Sequence, residues 1–89
     1  MISLNKSLIE YPLQFPIKIV GINSEIFLKK IIDILNKHDN NLSEKNIYTR
    51  FSKNNKYISI TVNLNIKDRK QLDKIYLALS SEPSVKFLI

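Results

Sequence analysis

One histidine and eight acidic residues are the side chains here that could carry out acid–base or metal chemistry. His38 is the only side chain whose ordinary titration falls near neutral pH, and it ends a stretch with helical spacing. A partly protonated histidine at a helix C-terminus interacts favourably with the helix dipole. The chain has no cysteine that a histidine could activate. We therefore interpret His38 as a capping or core-edge residue that neither catalyses nor binds metal.

The carboxylates have no spacing typical of a metal site, and Asp68 is explained as a helix cap. A glycine-rich phosphate loop is excluded because Gly21 is the only glycine. The sequence therefore predicts no catalytic residue, no cofactor and no metal site, and we expect a protein that is not an enzyme.

The net charge of +6 raises the question of nucleic acid, because basic surfaces attract phosphate. Lysine outnumbers arginine twelve to two, and isoleucine and asparagine are also abundant. AT-rich codons encode these three residues, so genome composition explains the charge without a ligand. A nucleic-acid-binding module remains the alternative function, using basic residues on predicted helix surfaces: Lys29, Lys30, Lys67, Arg69, Lys70 and Lys74.

Hydropathy favours a cytoplasmic protein with no membrane association. No apolar run approaches the roughly 20 residues of a transmembrane helix. Lys6 is not followed by the apolar run that a secretory signal needs.

The stretch Lys56 to Ile66 dominates the predicted fold because its apolar residues alternate without a break. This period is typical of a strand with one buried face, and so many large apolar residues indicate a central strand. The residues predicted to face the core are Ile58, Ile60, Val62, Leu64 and Ile66. Those predicted to face outward are Tyr57, Ser59, Thr61, Asn63 and Asn65.

A strand and a helix are predicted before this stretch. The strand runs from Phe15 to Ile22 with Lys18 outward. The helix starts at a cap, Asn23 or Ser24, and runs to about His38. Its apolar stripe contains Phe27, Ile31, Ile34, Leu35 and His38.

The remaining elements follow from turn and cap residues. A second strand, 46–52, has the basic flanks of an edge strand. A turn is predicted at 53–56, within which Asn54-Asn55 suits a two-residue hairpin loop. Asp68 and Gln71 have the form of a capping box for a second helix. The chain ends in a strand, Val85 to Ile89, predicted to alternate Val85, Phe87 and Ile89 against Lys86 and Leu88.

The element order βαββαβ predicts an α+β, ferredoxin-like sandwich. Two helices share one face of a four-stranded antiparallel sheet with strand order 4-1-3-2. We expect residues 1–13 to form an N-terminal extension, with Leu8 to Tyr11 as a cover, and residues 14–89 to form a single domain.

The outer face of the sheet is the predicted interaction surface. RNA-recognition domains of this topology stack bases on aromatic residues of the two central strands. Lys18, Val20, Ser59 and Thr61 occupy those positions, so we do not expect RNA binding of that kind. We expect a protein partner or a weak homodimer instead, through an interface that contains Lys18, Val20, Ile22, Tyr57, Lys86 and Leu88.

Several stretches resemble the YbeD-like family of small bacterial proteins of unassigned function. They are Leu8-Ile9-Glu10-Tyr11-Pro12, Phe15-Pro16-Ile17-Lys18-Ile19-Val20-Gly21, Ser52-Lys53-Asn54-Asn55-Lys56-Tyr57 and Val85-Lys86-Phe87-Leu88-Ile89. The chain departs from the family where Asn54-Asn55 replaces a glycine that members often carry. The resemblance implies a fold similar to ACT-type regulatory domains and brings no catalytic residues. Some members carry a label of lipoate regulation. We therefore expect a non-catalytic regulatory or protein-interaction domain that acts through its sheet face or edge.

Overall fold

The computed structural model describes residues 12–38 and 42–89 of the chain. Its elements follow the predicted order, with one short 3₁₀ turn, Glu44–Asn46, before the second strand. The strands and helices are β1 (Leu13–Ile22), α1 (Glu25–His38), β2 (Ile47–Phe51), β3 (Tyr57–Ile66), α2 (Arg69–Ser80) and β4 (Val85–Leu88).

Strand β3 has the predicted alternation, and it lies in the middle of the sheet. All five residues predicted to face the core are buried, and Ile60 and Leu64 are fully enclosed. The strand pairs antiparallel with β1 over ten residues, from Leu13 opposite Ile66 to Ile22 opposite Tyr57. The sheet order β2-β3-β1-β4 is the predicted 4-1-3-2 order taken from the other edge. The ferredoxin-like α+β fold is confirmed.

Both helices cover the same face of this sheet. Their buried residues recur at helical spacing, and Phe27 of α1 packs directly against the backbone of β1. Gly21 is buried beneath the Phe27 ring, and a Cβ atom at this position would overlap the ring. The single glycine therefore permits the close approach of α1 to β1. The buried helix residues are Phe27, Ile31 and Leu35 in α1 and Leu72, Ile75 and Leu79 in α2.

Polar side chains hold the helix termini in place. The Ser24 hydroxyl accepts a hydrogen bond from the Phe27 amide at 3.0 Å, so Ser24 is the cap of α1. The Asp68 carboxylate accepts one from the Gln71 amide at 2.8 Å. Gln71 then accepts from the Lys67 amide at 2.6 Å and donates to the His38 carbonyl, also at 2.6 Å. Its side chain thus joins the start of α2 to the end of α1.

The hairpin between β2 and β3 is wider than predicted. Its loop contains four residues, 53–56, because Ser52 rather than Lys53 makes the last pairing contact, with Tyr57 at 2.9 Å. The Ser52 hydroxyl also accepts from the amides of Lys56 and Tyr57, at 3.1 and 2.9 Å, which stabilises the wider loop. Asn55 adopts a φ of 60°, the left-handed conformation that asparagine tolerates. The centre of the turn was predicted, but the two-residue loop was wrong.

The predicted phase of the last strand was correct at Val85, which packs against the core, but wrong for Phe87 and Leu88. Leu88 lies opposite Ile19 and packs against the core, whereas Phe87 lies opposite Val20 on the outer face. The pairing shifts between Val20 and Gly21, so that Lys86 is an extra residue between the paired positions. Such a bulge interrupts the period of two on which the prediction depended. Leu88 therefore belongs to the core and not to the predicted outer-face interface.

The N-terminal predictions lie largely outside the described residues. Residues 1–11 contain the predicted Leu8 to Tyr11 cover and nearly all of the predicted extension. Strand β1 begins at Leu13, two residues before the predicted start of the first strand. Neither helix among the described residues is long and apolar enough to cross a membrane.

A charge placed on the buried face of β3 tests the sheet's orientation. Ile60→Asp should unfold the domain, because an unpaired buried charge costs several kcal/mol of a total stability of about 5–15 kcal/mol. Thr61→Asp, on the outer face, should cost about 1 kcal/mol. Urea unfolding followed by circular dichroism measures both. Equal losses at the two positions would contradict the one-sided core.

Glu82 supplies a second test, through acid stability. Its carboxylate accepts hydrogen bonds from the Ser84 hydroxyl and amide, at 2.7 and 3.0 Å, and Lys30 lies 3.9 Å away. The Ser84 bonds, helped by the Lys30 charge, lower the pKa of this carboxylate from its ordinary 4.5. The resulting stabilisation is present above about pH 4.5 and is lost as the pH falls through the lowered pKa.

Glu82→Gln should therefore lower stability at neutral pH and flatten the loss of stability below pH 4.5. Urea midpoints measured from neutral to acid pH give both quantities. Glu44→Gln, at an exposed acidic residue, is the matched control and should leave the profile unchanged. A Glu82→Gln profile parallel to that of the wild type would rule out this contribution.

Candidate functional site

The outer face of the sheet is a regular array of cross-strand rows. In the first row, Lys18 lies opposite Thr61, and Thr61 lies opposite Tyr48. Lys18 also exchanges two backbone hydrogen bonds, of 3.0 and 2.9 Å, with Ile89, the residue that follows β4. Ile89 therefore continues this row on the other side of Lys18. Side chains on one face of neighbouring strands are in contact distance, so each row acts as a continuous surface.

The second row consists of Phe87, Val20, Ser59 and Arg50, one from each strand. A third, shorter row pairs Ile22 with Tyr57. The rows therefore arrange apolar residues toward β4 and polar residues toward β2. This division follows from the sequence of the four strands, since every second residue of each strand faces outward.

The β4 side of the outer face is an exposed apolar patch, which comprises Val20, Ile22, Phe87 and Ile89. Phe87 is 65% exposed, Ile89 71% and Ile22 42%, whereas Val20 is half-buried between its neighbours. Phe87 lies opposite Val20, and Ile89 and Ile22 are the next residues on the same face of their strands, so the four occupy adjoining positions. Contiguous exposed apolar surface is typical of interaction sites, whereas single exposed apolar residues are ordinary.

The β2 side has a shallow depression of about 320 Å³, the polar depression, lined by Lys18, Tyr48, Thr49, Arg50, Ser59 and Thr61. On the outer face it combines two permanent positive charges with three hydroxyl groups, those of Tyr48, Ser59 and Thr61. None of the four strands contains an aspartate or glutamate. The depression can therefore donate many hydrogen bonds and attract a negative charge, but it has no acid of its own.

The predicted interface residues have distinct positions. Lys18, Val20 and Ile22 lie on the outer face, and Tyr57 lies at its border, where the Lys56 ammonium is 5.5 Å from the ring centroid. Lys86 is exposed in the bulge of β4.

Four outer-face residues were missed. Phe87 and Ile89 were missed because of the bulge. Tyr48 and Arg50 could have been found from the sequence. A turn centred on Asn54-Asn55 places them opposite Thr61 and Ser59, and the structure has this pairing.

Several residues considered for chemistry lie at structural positions. His38 is half-buried at the end of α1, where its carbonyl accepts the Gln71 bond. Asp73 forms an ion pair with Arg69 at 3.1 Å. Within residues 12–38 and 42–89, no three His, Cys, Asp or Glu side chains are grouped as a metal site requires.

The basic helix surface of the alternative function is partly neutralised. Of its six cations, Arg69 pairs with Asp73, and Lys30 lies 3.9 Å from Glu82. Glu25 adds a negative charge in the first turn of α1. The helix face thus carries mixed charge, in contrast to the outer face of the sheet.

Comparison with known proteins gives the family. A family profile described as "Protein of unknown function (DUF493)" matches residues 6–89. The chain is 44% identical over 84 residues to a UPF0250 protein of Janthinobacterium sp. (strain Marseille), covering 94% of this chain and 92% of the relative. It is 38% identical over 89 residues to a UPF0250 protein of Paraburkholderia phytofirmans, covering both chains in full. A UPF0250 protein of Nitrosomonas europaea is 36% identical over 84 residues, which cover 94% of this chain and 97% of that relative.

These matches extend over nearly the whole chain, and their names assign no activity. They agree with the resemblance that the strand and hairpin sequences carry. The chain belongs to the DUF493, or UPF0250, family of small bacterial proteins of unknown function, the YbeD-like family.

Proposed function

We propose that this chain is a non-catalytic regulatory or protein-interaction domain, similar to ACT domains in its architecture. In this proposal it acts in the cytoplasm and binds a protein partner through the outer face of its sheet. The observation that carries the proposal is the apolar patch formed by Val20, Ile22, Phe87 and Ile89 beside the polar depression. An apolar centre next to a hydrogen-bonding rim is the usual anatomy of a protein interface.

Phe87 is the expected anchor of this interface. Its ring is 65% exposed although it stands on a hydrogen-bonded strand opposite Val20. A large aromatic side chain held on a sheet loses little conformational entropy when it is buried by a partner. Aromatic residues in such positions contribute disproportionately to binding energy.

The non-catalytic part of the proposal rests on what the acidic residues contact. Asp68 caps α2, Asp73 pairs with Arg69, and Glu82 accepts two bonds from Ser84. Each of these contacts accounts for the residue without a reaction. Nucleic-acid binding on the helices has less support, because carboxylates pair with Arg69 and Lys30 there.

Substitution of Phe87 tests the proposal with a matched control. Phe87→Ser should lower affinity for the natural partner by about tenfold or more, since aromatic anchors contribute about 2 kcal/mol or more. Leu77→Ser removes an equally exposed apolar side chain, 67% against 65%, but from α2, and should leave binding unchanged. Tagged wild-type and variant proteins are expressed from the native locus, and co-purified proteins are quantified by mass spectrometry.

The supporting result is a protein recovered with the wild type and with Leu77→Ser but depleted with Phe87→Ser. Recovery of the same proteins with all three forms would contradict the proposal. Equal depletion in both variants would also contradict it, because the loss would not depend on the outer face. Urea midpoints of the purified variants establish that both fold.

Oligomeric state is a separate expectation of the proposal. Two copies stacked through their outer faces would bring Lys18 and Arg50 of each copy near the same cations of the other, without a carboxylate from any strand between them. We therefore expect a monomer or a weak dimer. Sedimentation over a wide concentration range measures this. A dimer that persists to nanomolar protein would show that the face is a self-association surface.

A further inference from the structure

Lys18 and Arg50 are the two cations that line the polar depression, and they reach it from opposite sides of β3. Lys18 lies on β1 opposite Thr61, and Arg50 lies on β2 opposite Ser59. Their Cα atoms are therefore separated by two strand spacings and two residues, or about 12 Å. Both side chains are long and exposed, so their charged groups can approach one small anion between the strands.

The surroundings of these two cations favour an anion. Thr61 and Ser59 lie between them on β3, and Tyr48 extends the row beyond Thr61. Among the described residues, neither Lys18 nor Arg50 forms an ion pair with a carboxylate. The Ser59 hydroxyl donates to the Arg50 carbonyl at 3.5 Å, which leaves the Thr61 and Tyr48 hydroxyls as the donors beside the two cations. Two unneutralised charges beside these hydroxyls match the charge-assisted hydrogen bonds by which proteins hold oxyanions.

We propose that the polar depression is a carboxylate subsite, which binds an aspartate or glutamate side chain of the protein partner. The partner's neighbouring apolar side chains lie on the patch formed by Val20, Ile22, Phe87 and Ile89. This inference rests on the proposed function and adds the chemistry of the partner, an acidic residue flanked by apolar ones. Val20 of the apolar patch lies opposite Ser59 of the polar depression, so the two surfaces adjoin. One short segment of the partner can therefore contact both.

A protein carboxylate suits this site better than a nucleic-acid backbone. A nucleic acid gains its affinity from many phosphate contacts, and the described strands contain only the cations Lys18, Arg50 and Lys86. Base stacking needs aromatic residues in the middle of the central strands, where Val20 and Ser59 lie instead. One oxyanion beside an apolar surface is the arrangement that the face can satisfy.

A second copy of this chain stacked outer face to outer face does not supply the complementary carboxylate. A symmetric pair needs a patch that is complementary to itself, and none of the described strands contributes an acid to the outer face. A different protein that presents an acidic and apolar segment meets the requirement.

Selection from a displayed library of random peptides tests the inference. Peptides selected by the wild-type protein should combine aspartate or glutamate with leucine, isoleucine or phenylalanine. Selection by the double variant Lys18→Glu, Arg50→Glu should favour lysine or arginine instead, because the sign of the subsite is reversed. The double variant Lys29→Glu, Lys70→Glu makes the same charge change on the helices and should select the wild-type class.

Fluorescence anisotropy with the strongest acidic peptide then measures the size of the effect. The Lys18→Glu, Arg50→Glu variant should bind about tenfold or more weakly than the wild type, because it loses the charge-assisted hydrogen bonds and places two negative charges beside the peptide's carboxylate. The helix control should bind like the wild type. Affinity should also fall as salt is raised. Urea midpoints and circular dichroism confirm that each variant is folded.

The remaining outcomes overturn the inference and separate its failure from that of the proposed function. If the wild-type protein selects apolar peptides without acidic residues, and Phe87→Ser no longer binds them, the carboxylate subsite is refuted. The proposed protein-binding face would still be supported. Selection of no peptide that depends on Phe87 would count against both. Tight binding of an oligothymidylate that is abolished by Lys18→Glu, Arg50→Glu would replace the carboxylate with a nucleic-acid phosphate.

Discussion

The strict alternation of buried and outward residues along β3 is the constraint on which the rest of the structure depends. From Ile58 to Ile66, every second side chain is enclosed between the sheet and the two helices. Because β1 pairs with β3 along its whole length, it has the same division of faces. Both helices must then cover one side, and no described helix covers the other. The division into a covered face and an outer face is thus a direct consequence of the core.

Acidic and basic residues are also distributed unequally between the sheet and the rest of the described structure. The described acids lie in helices, turns and caps, where Asp68 and Glu82 bind backbone amides. The charged residues of the described strands are all cations. Two of them, Lys18 and Arg50, line the polar depression of the outer face. The net charge of +6 is therefore unevenly distributed.

Local patterns predicted most of the fold, and contacts between distant segments decided the rest. The period of β3, the Asp68 cap and the strand order each depend on short-range rules that a sequence displays directly. The side of the sheet on which Leu88 lies depends instead on a bulge in the pairing of β4 with β1. This bulge is next to the close contact of Gly21 with Phe27. No period within the last strand reveals it. Of the outer face, the β1 residues were predicted, and the position of Arg50 follows from the predicted hairpin turn, whereas the aromatic anchor required the pairing of β4 with β1.

The outer face of the sheet is proposed to meet a protein partner in the cell. A photo-crosslinking amino acid placed at Phe87, and separately at Leu77, distinguishes this face from the helix side, because both positions are equally exposed on opposite sides of the domain. We expect a discrete adduct with a different protein at position 87 and none at position 77. The same adduct at both positions, or none at position 87 in growing cells, would contradict it.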